Sequence, residues 1–476
     1  MTPSRKPLCV DLDGTLLKTD LLWEMLFQLL RRSPLALLAA LLTLRQGRAA
    51  FKVALAQRGT PDVAALPVNQ DLLMRLQAER DQGRKLVLVT ASPRPWAEAV
   101  AARFTGFDAV LATEMDGAIN LSGAHKAARL VERYGPQGFD YVGNSQADVA
   151  VWQQADRAWV VSAPASVTRA ARQLGRVAVE LPTTMPHSAA LWAALRPHQW
   201  AKNLLVFLPL LTAQQWHSGV SLLAALLAFV AFSFAASASY LINDLLDLSA
   251  DRAHPRKSRR PLASGALPLS HGLAAVPLLT LAALLLALAL PPAFLWMLLA
   301  YLIATTAYSL GLKRQPLLDA LVLAGLYTLR IVAGGAAIGV PITFWLLAFS
   351  VFLFLSLAFA KRYAELLVML AAARDHAAGR GYRTDDLPLV QMLGIAAAYV
   401  SVLVLALYFD SAAAARLYVH PHAMWVFCPL LLWWISRVWL LTHRGEMHDD
   451  PVVFALKDRA SHLAALLGLL VLLGAA

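Results

Sequence analysis

From about residue 190 onward, the chain consists of apolar stretches of about twenty residues separated by short polar breaks. A stretch of that length matches a helix that crosses the roughly 30 Å apolar core of a bilayer. Only 15% of the residues are charged, whereas soluble domains average about 25%. We therefore predict an all-α membrane bundle of nine helices, near 200–216, 220–241, 271–290, 293–311, 317–339, 341–361, 389–411, 422–442 and 458–475.

The basic residues of this half indicate its orientation. The loops after spans two, four, six and eight carry Arg252, Arg256, Lys257, Arg259, Arg260, Lys313, Arg314, Lys361, Arg362, Arg374, Arg380, Arg383, Arg437, Arg444, Lys457 and Arg459. The opposite loops carry only Arg416. The positive-inside rule then predicts a cytoplasmic N-terminus, an outer C-terminus and a location in a bacterial-type inner membrane. Twenty of the 42 Lys and Arg residues lie in this half, almost all in its short loops, so the net charge of +12 does not indicate nucleic-acid binding.

Acidic side chains follow the second span in the sequence LINDLLDLSADRAHPRKSRR. Asn243, Asp247 and Asp251 recur every four residues, so on one helix they would form a stripe, with Asp244 beside it. Oxygen ligands at a membrane surface suit Mg²⁺. The basic residues that follow could hold phosphate oxygens; they are Arg256, Lys257, Arg259 and Arg260. The alternative, a solvated helix end with topogenic charges, explains these basic residues but explains the acidic run poorly.

A second set of polar residues lies at the ends of later spans. It comprises Tyr308, Lys313 and Asp319 after span four, and Lys361, Arg362 and Glu365 after span six. Arg330 lies inside span five, where we expect it to face the bundle interior and an anionic group, because an unpaired charge in lipid is costly. Ordinary anchoring of charged side chains at the membrane interface is the alternative.

The segment 192–476 resembles the UbiA superfamily of intramembrane prenyltransferases, through RPHQWAKN, the Asn-Asp-x-x-Asp-x-x-x-Asp motif and the second polar motif. The resemblance implies that two polar motifs hold Mg²⁺ around a diphosphate leaving group. It implies metal ligation by Asn243, Asp244, Asp247, Asp251 and Asp319, with Asp244 and Asp247 catalytic. The implied phosphate-binding residues are Lys202, Arg256, Lys257, Arg260, Tyr308, Lys313, Arg330, Lys361 and Arg362.

Within that superfamily, ADRAHPRKSRRPLASG, LRIVAGG and AKRYAEL look most like the decaprenyl-phosphate phosphoribosyltransferase branch. That branch implies phosphoribosyl pyrophosphate as donor and a polyprenyl phosphate in the bilayer as acceptor. Two alternatives remain open. One is a prenyltransferase that joins a polyprenyl diphosphate to an aromatic acceptor, and the other is a membrane transporter or scaffold with a vestigial phosphatase domain.

The N-terminal part reads as a separate α/β domain. Buried strand-like runs end at Asp11 and Asp13, at Thr90 and Ser92, and at Asn144. Helical patterns separate these runs, and one of them begins near Lys126. Alternating strands and helices predict a doubly wound parallel sheet whose site lies at the carboxyl ends of the strands.

Residues 5–165 resemble the haloacid dehalogenase superfamily, because all four of its motif positions can be located. The resemblance implies that Asp11 is the nucleophile and Asp13 the general acid and base. It also implies phosphate binding by Thr90, Ser92 and Lys126, and Mg²⁺ binding by Asp11, Asp13, Asn144 and Asp148. Asn144 stands where the family usually has an aspartate, so metal affinity should be reduced.

These features predict two domains, a phosphatase-like domain over 1–182 with a helical cap near 20–65, and the membrane domain over 190–476. The apolar cap segment SPLALLAALLTL is too short to span a bilayer. We expect sequential chemistry, in which the membrane domain makes a polyprenyl-phosphoryl 5-phosphoribose and the first domain removes its 5-phosphate. Tethering would give the second site a high effective concentration of that product.

Overall fold

The computed structural model describes residues 5–475 except 105, 117–118, 184, 372–380, 413, 415–417 and 448–449. The chain forms two compact units. The first comprises residues 1–195 together with 241–275, and the second comprises 196–240 together with 276–476. The boundary between them therefore falls within two of the long apolar helices.

A six-stranded sheet forms the centre of the first unit. Its strands are β1 (Leu8–Asp11), β2 (Leu86–Pro93), β3 (Ala109–Thr113), β4 (Asp140–Gly143), β5 (Ala158–Val161) and β6 (Val177–Leu181). They pair in parallel in the order β3-β2-β1-β4-β5-β6. Successive residues enter different cores: Leu8 and Val10 belong to one and Cys9 to the other. Both faces are thus buried, which confirms the predicted doubly wound α/β domain.

Helices surround this sheet. They are α1 (Leu21–Arg32), α2 (Pro34–Leu41), α3 (Arg48–Ala56), α4 (Gln70–Asp81), α5 (Arg94–Arg103), α6 (Ala124–Tyr134), α7 (Val149–Gln154), α8 (Ala165–Gln173) and α9 (His187–Leu195). The first four lie between β1 and β2 in the chain. Asp20 caps α1 by accepting a hydrogen bond from the Leu22 N–H. Leu21, Met25 and Leu29 then recur along one face of α1, and they pack into the same core as Leu8.

The rest of the chain is helical. The helices are α10 (Leu208–Thr212), α11 (Gly219–Leu246), α12 (Leu248–Ala253), α13 (Leu269–Ala287), α14 (Pro292–Leu310), α15 (Leu318–Ile338), α16 (Phe344–Ala371), α17 (Leu387–Phe409), α18 (Phe427–His443), α19 (Pro451–Ala455) and α20 (Arg459–Ala475). Among the described residues, seven helical segments are long and apolar enough to cross a membrane. They are Gly219–Leu246, Leu269–Ala287, Pro292–Leu310, Leu318–Ile338, Phe344–Ala371, Thr384–Phe409 and Pro421–His443.

The prediction of nine spans is therefore confirmed for seven of them. The segment 200–216 is not one helix, because a 3₁₀ helix over Pro197–Phe207 is followed by the five-residue α10. Pro209 near the start of α10 has no N–H to continue a helical ladder. The final helix α20 has only 17 residues. Within the second unit, α15 has the largest buried share of the seven apolar helices, so its polar side chains need partners inside the protein.

Candidate active sites

Asp11 lies at the carboxyl end of β1, where its carboxylate is held from two sides. The Lys126 ammonium at the start of α6 is 2.6 Å from Asp11 Oδ1, and the Thr15 hydroxyl donates to Oδ2 at 2.9 Å. Burial raises the pKa of Asp11 to about 7, although Lys126 opposes this rise. Burial also acts to lower the pKa of Lys126, but Asp11 and Asp148 outweigh it and leave that pKa raised. The structure thus brings the predicted nucleophile and the predicted phosphate-binding lysine into one buried pair.

A tyrosine that the sequence analysis missed connects this pair to a second carboxylate. Tyr141 on β4 accepts a hydrogen bond from Lys126 Nζ at 2.8 Å and donates to Asp148 Oδ1 at 2.8 Å. The second Asp148 oxygen accepts from the backbone of Asn144 and from the backbone and hydroxyl of Ser145. The only signal for Tyr141 was a phenol within the strand-like run before Asn144. Lys126, Tyr141 and Asp148 form a connected polar group in which each side chain orients the next.

Asp13 accepts hydrogen bonds from three groups. Its Oδ1 accepts from the Leu21 N–H at 2.9 Å. Its Oδ2 accepts from the Ser92 hydroxyl at 2.7 Å and from the Thr90 hydroxyl at 3.1 Å. In this structure, therefore, the two hydroxyls predicted to hold phosphate orient the carboxylate of the predicted general acid. The Asn144 amide packs against Gly14, where a Cβ would overlap Asn144 Nδ2.

A cavity of about 530 Å³ opens beside these residues within the first unit. Asp13, Asp20 and Asn144 contribute to its polar wall, and Trp23 adds an aromatic face. Part of the wall comes from far along the chain, namely Ser264, Gly265, Ala266, Pro268, Leu269 and Ser270. The segment that follows the acidic membrane motif is thus part of the wall of the phosphatase-like cleft.

The acidic membrane motif differs from the continuous stripe predicted for it. Helix α11 ends at Leu246, and Asp247 adopts a non-helical conformation with φ −100° and ψ 14° before α12 begins. The carboxylates that converge are those of Asp244 and Asp251, which are both buried. Arg260 bridges them at 3.0 Å and 2.5 Å. The predicted spacing of four residues therefore does not describe this pair, whose members are seven residues apart, or about two helical turns.

The remaining residues of the first polar motif are close in sequence to Asp244, Asp251 and Arg260. Asn243 and Asp247 are half-buried, whereas Arg256 and Lys257 are exposed around a short 3₁₀ helix over Lys257–Arg259. Lys313 is half-buried in the 3₁₀ helix Leu312–Arg314. Arg374, Arg380, Arg416 and part of the loop 374–388 lie outside the described residues.

Asp319 forms the centre of a second cluster, within the second unit. It is fully buried at the start of α15, and Arg362 of α16 approaches its Oδ2 at 2.6 Å. The Tyr382 hydroxyl donates to Asp319 Oδ1 at 2.7 Å. Arg362 also pairs with Glu365 at 2.5 Å and donates to Tyr308 at 3.1 Å. The structure therefore joins four predicted polar residues in one network, to which Tyr382 is a further contributor.

A third cluster, also in the second unit, contains an aspartate that the sequence analysis missed. Asp450 caps α19, and its Oδ2 lies 2.9 Å from both Lys202 and Lys361. Its Oδ1 accepts from the Tyr327 hydroxyl at 3.0 Å. Both lysines act to lower the pKa of Asp450, which stays well below its usual range although burial opposes this. The Asp-Pro dipeptide at the start of a helix was the one available signal for a capping aspartate.

Arg330 does face the interior, as predicted, but its hydrogen-bond partners are neutral. It donates to Asn203 Oδ1 at 2.8 Å, to the Tyr301 hydroxyl at 3.1 Å and to the Leu326 carbonyl oxygen. The guanidinium also lies 4.9 Å from the Tyr301 ring centroid and 5.6 Å from that of Tyr327. These contacts are with an amide, a phenol, a carbonyl oxygen and two aromatic rings, so the anionic group expected at Arg330 stays a prediction. Its full positive charge is therefore not cancelled by the groups to which it hydrogen-bonds.

The donor sets fit Mg²⁺ in chemistry, although not as a preformed cage. Across the described ranges, no three His, Cys, Asp or Glu side chains are grouped closely enough to form a metal site. Mg²⁺ is commonly held by one or two carboxylates together with water and substrate phosphate. Asp244 and Asp251 already converge on one cation, the Arg260 guanidinium. In the N-terminal site, the Asp11 carboxylate and the Asn144 amide are the corresponding oxygen donors.

Comparisons with known proteins match two parts of the chain to two families. The model of the UbiA prenyltransferase family matches residues 189–469, and that of haloacid dehalogenase-like hydrolases matches residues 8–153. The y4nM protein of Sinorhizobium fredii is 38% identical over 96% of this chain and 88% of its own length.

Two further relatives match a smaller part of this chain. The nodulation protein NoeC of Azorhizobium caulinodans is 35% identical over 58% of this chain and 89% of its own length. A decaprenyl-phosphate phosphoribosyltransferase of Mycolicibacterium smegmatis is 33% identical over 56% of this chain and 86% of its own length. From the family match over 189–469, the chain belongs to the UbiA prenyltransferase family, as a membrane enzyme with an N-terminal haloacid dehalogenase-like domain.

Proposed function

We propose that the membrane domain transfers a 5-phosphoribosyl group from phosphoribosyl pyrophosphate to a polyprenyl phosphate, with Mg²⁺ as cofactor. The observation that carries this proposal is the excess of cations inside the second unit. Lys202 and Lys361 share one carboxylate, Asp450, while among the described residues Arg330 hydrogen-bonds to neutral groups. Buried cations need anions, and phosphate groups of a lipid and a sugar would supply them. The similarity to a decaprenyl-phosphate phosphoribosyltransferase supports the same donor and acceptor.

The reaction would join a lipid phosphate oxygen to C1 of the ribose as the diphosphate leaves. Asp244 and Asp251, with Asn243 and Asp247, would hold Mg²⁺, which supplies neutralisation of the diphosphate charge when bound. Lys313, Arg256 and Lys257 would contact phosphate oxygens. Catalysis would come from positioning and charge stabilisation rather than from a protein nucleophile.

The N-terminal domain would then remove the 5-phosphate. An Asp11 oxygen would attack phosphorus to form an aspartyl-phosphate while Asp13 donates a proton to the departing sugar oxygen. Water would next attack the same phosphorus and give a proton to Asp13, which releases inorganic phosphate, restores the Asp11 carboxylate and returns Asp13 to its protonated form. Lys126 contacts Asp11 Oδ1, so it is suited to fix the nucleophile and to neutralise phosphate charge.

Both sites would act on the cytoplasmic side, with the C-terminus outside, because the basic loops favour that orientation. We assign the dephosphorylation to the domain 1–182 and the transfer to the domain 190–476.

The test is mass spectrometry of lipids after incubating the purified full chain with Mg²⁺, polyprenyl phosphate and phosphoribosyl pyrophosphate. We expect a polyprenyl-phosphoryl pentose without its 5-phosphate. A folded sample that forms no pentosyl lipid, but joins a polyprenyl diphosphate to an aromatic acceptor, would overturn the proposal in favour of an aromatic prenyltransferase.

The phosphatase step is tested separately with Asp11→Asn. This variant should accumulate the 5-phosphorylated lipid, because the amide is a poor nucleophile. Asp81→Asn is the matched control, since it makes the same chemical change on the exposed end of α4. An unchanged product with Asp11→Asn would refute the second step and leave the first intact.

A further inference from the structure

The cap of the N-terminal domain exposes a set of large apolar side chains. On α2 and the following 3₁₀ helix (Leu42–Gln46), Leu35 is 79% exposed, Leu42 is 66% exposed and Leu38 is 59% exposed. Leu41 and Leu44 are exposed as well, whereas Leu37 and Ala40 turn inward to the domain core. A contiguous group of exposed leucines is uncommon on a soluble surface and marks a site of contact.

The charged residues in this part of the sequence are all basic. Between Glu24 and Asp62 the sequence contains no acidic residue, but it contains five arginines and one lysine. Arg31 and Arg32 at the end of α1 and Arg45 in the 3₁₀ helix are exposed beside the leucines. We call this set the cap face: Arg31, Arg32, Leu35, Leu38, Leu41, Leu42, Leu44 and Arg45. Leucines next to basic residues are typical of helices that lie in the interface of an anionic membrane.

The cap is joined to the end of a membrane helix within the same compact unit. Glu24 on α1 forms a buried, two-point ion pair with Arg252 of α12, at 2.6 Å and 2.9 Å. A cavity of about 370 Å³ lies beside this pair. Phe27, Arg31 and Arg32 of α1 line it together with Leu245, Leu246 and Leu248 from the end of α11 and the start of α12.

This connection limits how far the cap can lie from the bilayer. Helix α11 is one of the seven segments apolar enough to cross a membrane, and its last residues line the cavity. Helix α2 and its 3₁₀ extension form one apolar helical segment of 13 residues, Pro34–Gln46. A helix of this length is too short to span a bilayer but can lie along its surface.

We propose that the cap face binds the surface of the membrane that holds the C-terminal helices. Its leucines would enter the headgroup region, and Arg31, Arg32 and Arg45 would contact anionic lipid phosphates. A second copy of the chain is a poorer occupant. A symmetric contact would place this basic segment against its own copy, with no acidic residue between Glu24 and Asp62 to offset the repulsion. The proposal concerns lipid contact and does not depend on either reaction.

The test is spin-label accessibility in the full chain reconstituted into nanodiscs that contain anionic phospholipid. Leu38→Cys is labelled in a Cys428→Ser background, because the other native cysteine, Cys9, is fully buried. We expect the label to be accessible to apolar oxygen and several-fold less accessible to a water-soluble nickel chelate than a label at Met74→Cys. Met74 is the matched control because it is an exposed apolar side chain (64%) on α4 of the same domain.

Nanodiscs of neutral lipid, and an Arg31→Glu/Arg32→Glu/Arg45→Glu variant, provide the second measurement. In each case we expect the nickel accessibility at position 38 to rise, because the attraction to anionic phosphates is lost. Nickel accessibility at position 38 equal to that at position 74 overturns the proposal. Protection from both oxygen and nickel also overturns it, since that result indicates burial against protein rather than lipid.

Discussion

Asp319 and Arg362 form an ion pair at 2.6 Å in which both side chains are almost fully removed from solvent, at 0% and 1% exposure. The Tyr382 hydroxyl donates to Asp319, and Tyr308 accepts from Arg362, so the pair is held by further polar groups. A buried pair of this kind is sensitive to loss of one member, because the other is left as an uncompensated charge.

Arg362→Met should therefore lower the free energy of unfolding by about 3–5 kcal/mol. Thermal unfolding in detergent micelles, followed by circular dichroism, measures this loss. Arg437→Met is the matched control, because Arg437 pairs with Asp458 while remaining 27% exposed, and a partly exposed pair should contribute about 1 kcal/mol or less. Equal destabilisation by the two variants would contradict the structural role of the Asp319–Arg362 pair.

Arg260 should compete with Mg²⁺ for Asp244 and Asp251, because its guanidinium lies between their carboxylates. We expect Arg260→Gln to lower the Mg²⁺ concentration for half-maximal transferase activity, by about tenfold if the competition is worth about 1.4 kcal/mol. The maximal rate should fall, because a phosphate-binding cation is lost. A Mg²⁺ titration at saturating substrate separates the two effects, with Arg259→Gln as the exposed neighbouring control. A higher Mg²⁺ requirement in Arg260→Gln is the opposite of what we expect.

Tyr141→Phe should slow dephosphorylation without changing lipid transfer. The variant loses the hydroxyl that accepts from Lys126 and donates to Asp148, and unsatisfied buried partners cost about 1–3 kcal/mol each. A loss of about 1.4 kcal/mol in transition-state stabilisation gives about a tenfold lower kcat for phosphate release. Tyr134→Phe is the control, because Tyr134 is a half-buried tyrosine at the end of α6, the helix that carries Lys126. If both variants lose equal activity, the hydroxyl of Tyr141 has no special role.

The predictable features were those encoded over short distances. Asp11, Thr90 and Asn144 follow strand-like runs, and the parallel sheet brings the ends of β1, β2 and β4 together without any further information. Seven spans were predictable because a bilayer requires long apolar helices. The 200–216 segment was mispredicted because its hydropathy resembles that of a span, although Pro209 prevents one continuous helix.

Contacts between distant parts of the chain could not be predicted. Lys202 and Asp450 are separated by 248 residues, and Glu24 and Arg252 by 228, so no spacing rule links them. The break at Asp247 was hidden for another reason. A spacing of four residues between Asn243, Asp247 and Asp251 is equally compatible with one helix and with two helical segments, and the non-helical φ and ψ of Asp247 distinguish the two.

Asn144→Asp should strengthen Mg²⁺ binding in the N-terminal site. A carboxylate is a better Mg²⁺ ligand than an amide, so we expect the Mg²⁺ concentration for half-maximal phosphatase activity to fall by about tenfold, or about 1.4 kcal/mol. This Mg²⁺ concentration is measured by following the hydrolysis of p-nitrophenyl phosphate at increasing Mg²⁺. Asn69→Asp adds the same charge to the wall of the same cleft while keeping a side chain able to cap α4. An equal shift in both variants would mean that general electrostatics, rather than ligation at position 144, controls the affinity.

Gly265→Ala should impair dephosphorylation of the lipid-linked product more than hydrolysis of p-nitrophenyl phosphate. Gly265 has φ +75°, and an added Cβ would lie 2.5 Å from Lys18 Cβ and would overlap the Lys18 carbonyl oxygen, so the 264–270 segment must shift at the cleft wall. The rate of dephosphorylation should fall more for a large substrate that contacts this wall than for a small ester that needs only Asp11 and Asp13.

Gly445→Ala is the control that separates the two effects of Gly265→Ala, which are the steric overlap of the added Cβ and the strain of a left-handed backbone. Gly445 has φ +72° and no atom within 4 Å of its added Cβ, so it shares the cost of about 1–2 kcal/mol for a left-handed alanine without the steric overlap. The measurement is kcat/KM for the lipid-linked product and for p-nitrophenyl phosphate in each variant, which shows whether the steric overlap affects the larger substrate more. If Gly265→Ala reduces both substrates in equal proportion, the 264–270 segment supports the fold of the cleft and does not select its substrate.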